Sequence, residues 1–276
     1  MILPLVVDAA DVAAADPAAL RIVDLRPAEA RDAGHVPGSV PLEAALLNRA
    51  DPPAGGLLPD ASTVERLVAG LGLPSGRHVV ACDAGGGTEA ARLLWVLHAH
   101  GFSACSWLNG GMRAWEAAGL PLERGTAAEA DVSTDPAGKT PTLAATGAEI
   151  IGADALLGDL DDPGLVILDV RGAAEYAGTD VRAAMGGHVP GARHLEWTRL
   201  LDADGRLLDD DTLRERLSAT GLVPGKRAVV YCQTHQRSAV TWLALKHLGF
   251  DDVRALDGAW SVWGNRPDLP KETENA

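Results

Sequence analysis

The chain reads as α/β, two tandem copies of one domain in which helices flank a central, mostly parallel sheet. Three observations predict it. Short β-branched runs alternate with amphipathic helical patterns, the runs are apolar on both faces as in a sheet buried between helix layers, and the two halves repeat one another in order. Asp24-Leu25-Arg26 recurs as Asp169-Val170-Arg171, and Gly34-His35-Val36-Pro37-Gly38 as Gly187-His188-Val189-Pro190-Gly191. Val79-Val80-Ala81-Cys82 answers Val229-Val230-Tyr231-Cys232, and Gly101-Phe102 answers Gly249-Phe250. Asn109-Gly110-Gly111 through Trp115 answers Asp257-Gly258-Ala259 through Trp263. The offset between the halves grows from 145 (Asp24 to Asp169) to 153 (His35 to His188), so the second half carries eight extra residues around 179–186, Arg182 among them.

The elements follow from local pattern. Strands are predicted over 165–170, 228–232 and 253–256 in the second half. In the first, Ser62-Thr63-Val64-Glu65 reads as a capping box opening a helix with Val64, Leu67, Val68 and Leu71 on one face. After Cys232, the residues Val240, Leu243, Ala244 and Leu248 repeat that spacing, and Gly249 is the expected stop. A stretch rich in Ala, Gly, Thr, Asp and Pro without apolar periodicity is the expected linker. The domains expected are therefore 1–124, without activity of its own, a linker at 125–146, and 147–276, which carries the chemistry.

Composition narrows the class. Of 276 residues 47% are apolar and 22% charged, enough for two cores. A net charge of -14 repels nucleic acid and anionic membrane surfaces, so neither is expected as a partner. Three cysteines make a poor disulfide framework and point to a reducing compartment. The start, Met1-Ile2-Leu3-Pro4-Leu5-Val6-Val7-Asp8, has no basic run and too short an apolar one for a signal peptide or membrane span. A cytoplasmic, soluble protein is expected.

The chemistry concentrates in Cys232-Gln233-Thr234-His235-Gln236-Arg237-Ser238, between a predicted strand and a predicted helix. A cysteine there lies among backbone N–H groups without intrahelical partners, which favour negative charge and make it a nucleophilic thiolate. Arg237 adds a permanent cation with a planar fork of donors for a tetrahedral oxyanion. In an open parallel sheet the ligand site lies beyond the carboxyl ends of the strands, where this reading puts Cys232.

The duplication, the Gly-His-Val-Pro-Gly turns, the strand-terminal cysteine loop and Asp257-Gly258-Ala259-Trp260 resemble the rhodanese family in its two-domain form, over nearly the whole chain. The loop, with His194-Leu195-Glu196-Trp197-Thr198, is most similar to bacterial two-domain thiosulfate sulfurtransferases of the Azotobacter kind. It departs from the Cys-Gly-small-Gly-Val-Thr loop usual in enzymes specific for 3-mercaptopyruvate. The resemblance implies two displacements. Cys232 takes the outer sulfur of thiosulfate as a persulfide, sulfite leaves, and cyanide or a thiol removes the sulfur, without metal or organic cofactor. Splitting one hard transfer through a covalent enzyme intermediate is what cysteine does well.

Gln233, Thr234, His235 and Gln236 are expected to offer backbone N–H groups with side chains at the rim. Ser238 either caps the following helix or donates to the persulfide. Asp169 and Arg171 form an ion pair that either fixes loops around the site or is purely structural, as its copy Asp24 and Arg26 suggests. His188, repeated as His35, belongs to turn architecture. Trp197 is either a pocket wall or core. Cys82 is expected at the place of Cys232, where the first domain of the family usually has aspartate, with Gly87 at the place of Arg237. With Asp83 beside it, Cys82 should be unreactive. Cys105 reads as core.

Three other functions share these features: transfer from 3-mercaptopyruvate, a phosphatase of the Cdc25 type, and a non-catalytic rhodanese-like binding module. The phosphatase loop has five residues between cysteine and arginine. This chain has four, Gln233 to Gln236, a ring sized for one sulfur atom.

Overall fold

The structure is a computed structural model that describes residues 3–73, 76–125 and 146–273. It divides into two compact units. The first comprises Met1–Leu47, Pro59–Thr146 and Ala203–Leu207; the second comprises Asn48–Leu58, Gly147–Asp202 and Leu208–Ala276. The predicted linker at 125–146 falls almost wholly outside the described residues. Each unit thus includes a short segment from the other half of the sequence, which the sequence did not suggest.

Unit 1 contains β1 (Val6–Val7), α1 (Ala9–Ala14), β2 (Leu20–Asp24), α2 (Ala28–Ala33) and β3 (Val40–Pro41). The hairpin β4 (Arg49–Asp51) and β5 (Ala54–Leu57) follows and belongs to unit 2. Unit 1 resumes with α3 (Ala61–Gly70), β6 (His78–Cys82), α4 (Thr88–Ala99), β7 (Cys105–Leu108) and α5 (Gly111–Ala117). Its strands form one parallel sheet in the order β1-β7-β6-β2-β3. Unit 2 contains β8 (Ile150–Ile151), α6 (Ala153–Asp159), β9 (Leu165–Asp169), α7 (Ala173–Tyr176) and β10 (Arg193–His194). It continues with α8 (Asp210–Ser218), β11 (Arg227–Tyr231), α9 (Arg237–His247), β12 (Val253–Leu256) and α10 (Ala259–Trp263). Its sheet, β10-β9-β11-β12-β8, is the same parallel arrangement.

The central strands β6 and β11 are apolar on both faces because helices cover both, and nearly every residue in them is buried. In unit 2 the core gathers Ile167, Val229, Tyr231, Leu256, Trp260 and Trp263; in unit 1 it gathers Val12, Val36, Val80, Cys82, Met112 and Trp115. The two Gly-His-Val-Pro-Gly turns are pinned alike. His35 N donates to Glu123 O at 2.9 Å, and His188 N to Glu272 O at 2.8 Å.

Two boundaries differ from expectation. The helix predicted from Ser62 is capped two residues earlier, by Asp60, whose Oδ1 accepts from Thr63 N at 2.8 Å; Ser62 lies inside the helix. The strand predicted to include Cys232 ends at Tyr231, which leaves Cys232 as the first residue of the loop.

Candidate active site

Register fixes which residues of the two units correspond. Asp24 pairs with Cys82 across β2 and β6, whereas the equivalent Asp169 pairs with Tyr231 across β9 and β11. Leu25 N donates to Cys82 O at 2.9 Å, and Val170 N to Tyr231 O at 3.0 Å. One residue on, Met112 N donates to Asp83 O and Trp260 N to Cys232 O. Cys82 is therefore the counterpart of Tyr231, not of Cys232, and Asp83 stands at the place of Cys232. The helices agree, since α4 opens at Thr88 and α9 at Arg237. Thr88, not Gly87, is the counterpart of Arg237. The expected alignment slipped by one residue because Val-Val-Ala-Cys matches Val-Val-Tyr-Cys by eye, while the pleat sends successive side chains to opposite faces. The supposed departure from the family pattern disappears with it.

In unit 2 the site is a loop at the carboxyl edge of the sheet. Cys232 is buried, with 1% of its surface exposed. Two of the loop's carbonyls are held by α10: Cys232 O accepts from Trp260 N at 3.0 Å, and Gln233 O from Ser261 N at 2.9 Å. A trans peptide sets its N–H opposite its carbonyl, so the following N–H groups lie on the other face of the loop. His235 is fully buried rather than at the rim. It holds a left-handed φ of 55°, and its Nδ1 lies 2.7 Å from Ser238 Oγ. Ser238 is engaged with that ring, and α9 has no side-chain cap. Gln233 Nε2 donates to Arg182 O at 3.0 Å, which ties the eight-residue insertion to the loop. Thr234 and Gln236 are half-buried.

Arg237 does not stand alone. Its Nη1 donates to Glu175 Oε2 at 2.6 Å and its Nη2 to Glu175 Oε1 at 2.9 Å, a bidentate fork on a carboxylate with 4% exposure. The Glu175 hydrogen bond holds the guanidinium above its ordinary range against the opposing effect of burial, and the charge of Cys232 adds to it. Burial pushes the Glu175 carboxyl up, but Arg237 outweighs it and leaves the group below its usual range. Arg182 Nε lies 3.9 Å from Glu175 Oε1 while its Nη2 pairs with Asp180 at 2.7 Å. Nothing in the sequence pattern marks Glu175, because an anionic substrate calls for cations and not for the carboxylate that holds one.

Asp169 and Arg171, expected as an ion pair that either fixes loops around the site or is purely structural, do form a buried pair. They are 0% and 1% exposed and joined at 2.5 Å, and Arg171 Nη2 also donates to Gly187 O at 2.7 Å. Arg171 lies over the Trp260 ring at 4.4 Å. Burial would lower the Arg171 guanidinium, and the Asp169 hydrogen bond and charge more than compensate. Asp24 and Arg26 repeat the arrangement, with Arg26 Nη2 on Gly34 O at 2.7 Å. The pair closes the turn in the same way in both units. Trp197 is half-buried, in a turn packed on α9, with its N on Val170 O at 3.2 Å. A hollow of about 740 Å³ in unit 2 is lined by Ala173, His194, Glu196, Arg199, Glu215 and Arg216 and by none of the loop residues 232–238.

In unit 1 the same place is filled from within. Asp83 Oδ1 accepts from Gly85 N at 3.0 Å and Oδ2 from Ala90 N at 3.3 Å. Burial pushes its carboxyl up to about 6, aided by Glu89 and opposed by those N–H groups. Cys82 faces the core, and burial, with Asp24 and Asp83 nearby, pushes its thiol well above the ordinary range. Burial also pushes Cys105 up to about 12.

Comparison with known proteins agrees with this duplication. The family described as rhodanese-like domain matches residues 8–118 and 152–266. The chain is 39% identical over 272 residues to a thiosulfate sulfurtransferase of Azotobacter vinelandii, covering 98% of this chain and 97% of that one. It is 38% identical to a thiosulfate sulfurtransferase of Pseudomonas aeruginosa over the same shares. A 3-mercaptopyruvate sulfurtransferase of Escherichia coli is 32% identical, covering 87% of this chain and 83% of that one. Among solved structures, the anaerobic ergothioneine biosynthesis enzyme of Chlorobium limicola shares the fold, with a TM-score of 0.82 and 20% identity over 98% of this chain and 70% of that one. With two matched domains and full-length relatives on the same duplicated frame, this chain belongs to the rhodanese family and is a sulfurtransferase.

Proposed function

We propose that the chain moves the outer sulfur of thiosulfate to a thiophilic acceptor through a persulfide on Cys232. The observation that carries this is the pairing of Cys232, first in a loop whose carbonyls are engaged outside, with Arg237, held in place by Glu175 at 2.6 Å. The Cys232 thiolate attacks the outer sulfur. The sulfur–sulfur bond of thiosulfate breaks, its electron pair leaves with sulfite, and the transferred sulfur keeps its negative charge as the terminal atom of the persulfide. Cyanide or a thiolate then attacks that atom, giving thiocyanate or a new persulfide and returning the Cys232 thiolate. Arg237 meets the charge that develops on the leaving sulfite, and the N–H groups of Gln233, Thr234, His235 and Gln236 meet the persulfide. Ser238 orients His235, and Trp197 supplies cover beside α9.

The loop Cys-Gln-Thr-His-Gln-Arg-Ser supports thiosulfate over 3-mercaptopyruvate, because it departs from the Cys-Gly-small-Gly-Val-Thr loop usual in enzymes specific for the latter. The acceptor is a small thiophile or a protein thiol and the compartment the cytoplasm, a reading supported by three free, buried cysteines, with no nucleic-acid partner at a net charge of -14. No helix among the described residues is long and apolar enough to cross a membrane. Incubation with thiosulfate should add the mass of one sulfur to the Cys232 peptide, and cyanide should remove it as thiocyanate. Sulfur on Cys82 alone, or on neither cysteine, refutes the proposal. Phosphate release from a phosphotyrosine mimic at a comparable rate would favour the phosphatase instead.

A further inference from the structure

The hairpin β4–β5 comes from the first half of the sequence yet belongs to unit 2, and its contacts converge on the Cys232 loop. Gly55 N donates to Ser261 Oγ at 2.9 Å, and Ser261 Oγ lies 2.8 Å from Gly55 O. Ser261 in turn donates its N–H to Gln233 O at 2.9 Å, so one residue joins hairpin to loop. Leu58 N donates to Asp257 Oδ1 at 2.9 Å, and Gln236 Nε2 approaches Asn48 Oδ1 at 3.4 Å. Gly56, at φ 68°, lies so close that a Cβ there would fall 2.0 Å from Thr234 O and 2.6 Å from its carbonyl carbon.

We propose that this hairpin is the clamp that aims the loop's N–H groups at the Cys232 sulfur, with Gly56 and Ser261 as its positioning residues. The reason is peptide geometry. With the carbonyls of Cys232 and Gln233 held by α10 and that of Thr234 backed by Gly56, the three N–H groups that follow them are fixed on the opposite face. His235 adds a need for such support. A non-glycine residue in the left-handed region costs about 1 kcal/mol or more and persists only where neighbours over-determine it. Unit 1 carries the same device on a loop that holds no sulfur. Leu207 N donates to Asn109 Oδ1 at 3.0 Å, and a Cβ on Gly205 would fall 2.9 Å from Gly86 N. There the left-handed position is Gly86, which needs less holding.

The inference deepens the sulfur-transfer reading and rests on it, but its test needs no sulfur donor. In the full chain, Cys232 is alkylated with iodoacetamide across a range of pH, each variant normalised to its own plateau so that access to the loop drops out. Gly56→Ala should move the half-maximal pH upward by about one unit. Ser261→Ala, which keeps the glycines, should move it the same way by less and carries the test if Gly56→Ala does not fold. The charges of Arg237 beside the sulfur, of Glu175 on Arg237 and of Arg182 near Glu175 are unchanged in both, as is the His235 ring of the loop. Gly191→Ala has matched backbone strain, φ 73° with nothing within 4 Å, and should leave the midpoint alone. Midpoints for Gly56→Ala and Ser261→Ala equal to wild type overturn the clamp. Failure of the wild type to take sulfur from thiosulfate overturns the substrate reading and leaves this comparison standing.

Discussion

Residues 83–88 and 232–237 occupy one place in two copies of one fold. Both follow a buried central strand, both have the carbonyl of their first residue bound to the N-terminus of the next helix but one, and both are backed by a segment from the other half of the sequence. All six positions differ, and the first and last carry the contrast in charge. Unit 1 begins with the Asp83 carboxylate, which takes N–H groups of its own loop, and ends with Thr88. Unit 2 begins with a thiol one atom shorter in polar reach and ends with Arg237 on Glu175. A loop that carries its own anion has no vacancy for another; a loop that carries sulfur and a cation has work for both. The frame is shared, and the proposed chemistry rests on the residues that stand at these two positions in unit 2.

The largest expected effect breaks the comparison at Arg237. Arg237→Ala should lower sulfur uptake from thiosulfate about a thousandfold, about 4 kcal/mol of transition-state stabilisation, read from kcat/KM with cyanide as acceptor. It also strands Glu175, at 4% exposure, without its partner, so stability should fall as well. The double variant Arg237→Met with Glu175→Gln removes both charges. It should recover stability to within about 1 kcal/mol and recover none of the uptake. Uptake restored along with stability would make the arginine a strut, no different in kind from Arg171.

The next effect concerns Asp83. In the unfolded chain it titrates near 3.8, and in the fold burial pushes it up to about 6. Between those values the folded chain binds more protons than the unfolded one, so stability falls as pH rises through that window, by roughly 3 kcal/mol, with no further loss from this group above it. Asp83→Asn removes the titration. The stability difference between variant and wild type, measured by denaturant unfolding at pH 4 and again at pH 7.5, should therefore shift in favour of the variant at the higher pH. A difference independent of pH would mean that the carboxylate is solvated and the cradle of unit 1 is open.

The duplication, the sheet class and the placing of Cys232 were legible because they rest on residues whose spacing carries the signal: paired anchors, apolar runs, a cysteine between strand and helix. What was not legible depends on side-chain direction or on long-range pairing. The one-residue slip at Cys82 is a question of register, and register is set by which face each residue shows, not by letter matching. The hairpin at Asn48–Leu58 has no apolar period tying it to the loop near Thr234 that it backs. The fifth anchor did hold a clue. Asn109 and Asp257 recur because each accepts an N–H from a borrowed segment, Leu207 N in one unit and Leu58 N in the other.

The smallest effect sharpens the comparison from the side of the silent cysteine. Cys82 packs among Val80, Leu108 and Met112 and is the counterpart of Tyr231, not of the nucleophile. Its sulfur is therefore a small apolar group in a core. Cys82→Ala deletes one buried atom and leaves a cavity smaller than a methyl-sized side chain, so it should cost about 1 kcal/mol in stability. Sulfur loading of Cys232 and turnover with cyanide should be unchanged. If turnover fell by much more than the loss of folded protein explains, sulfur would be passing through unit 1, and the view that position 83 rather than position 82 is the counterpart of the nucleophile would have to be given up.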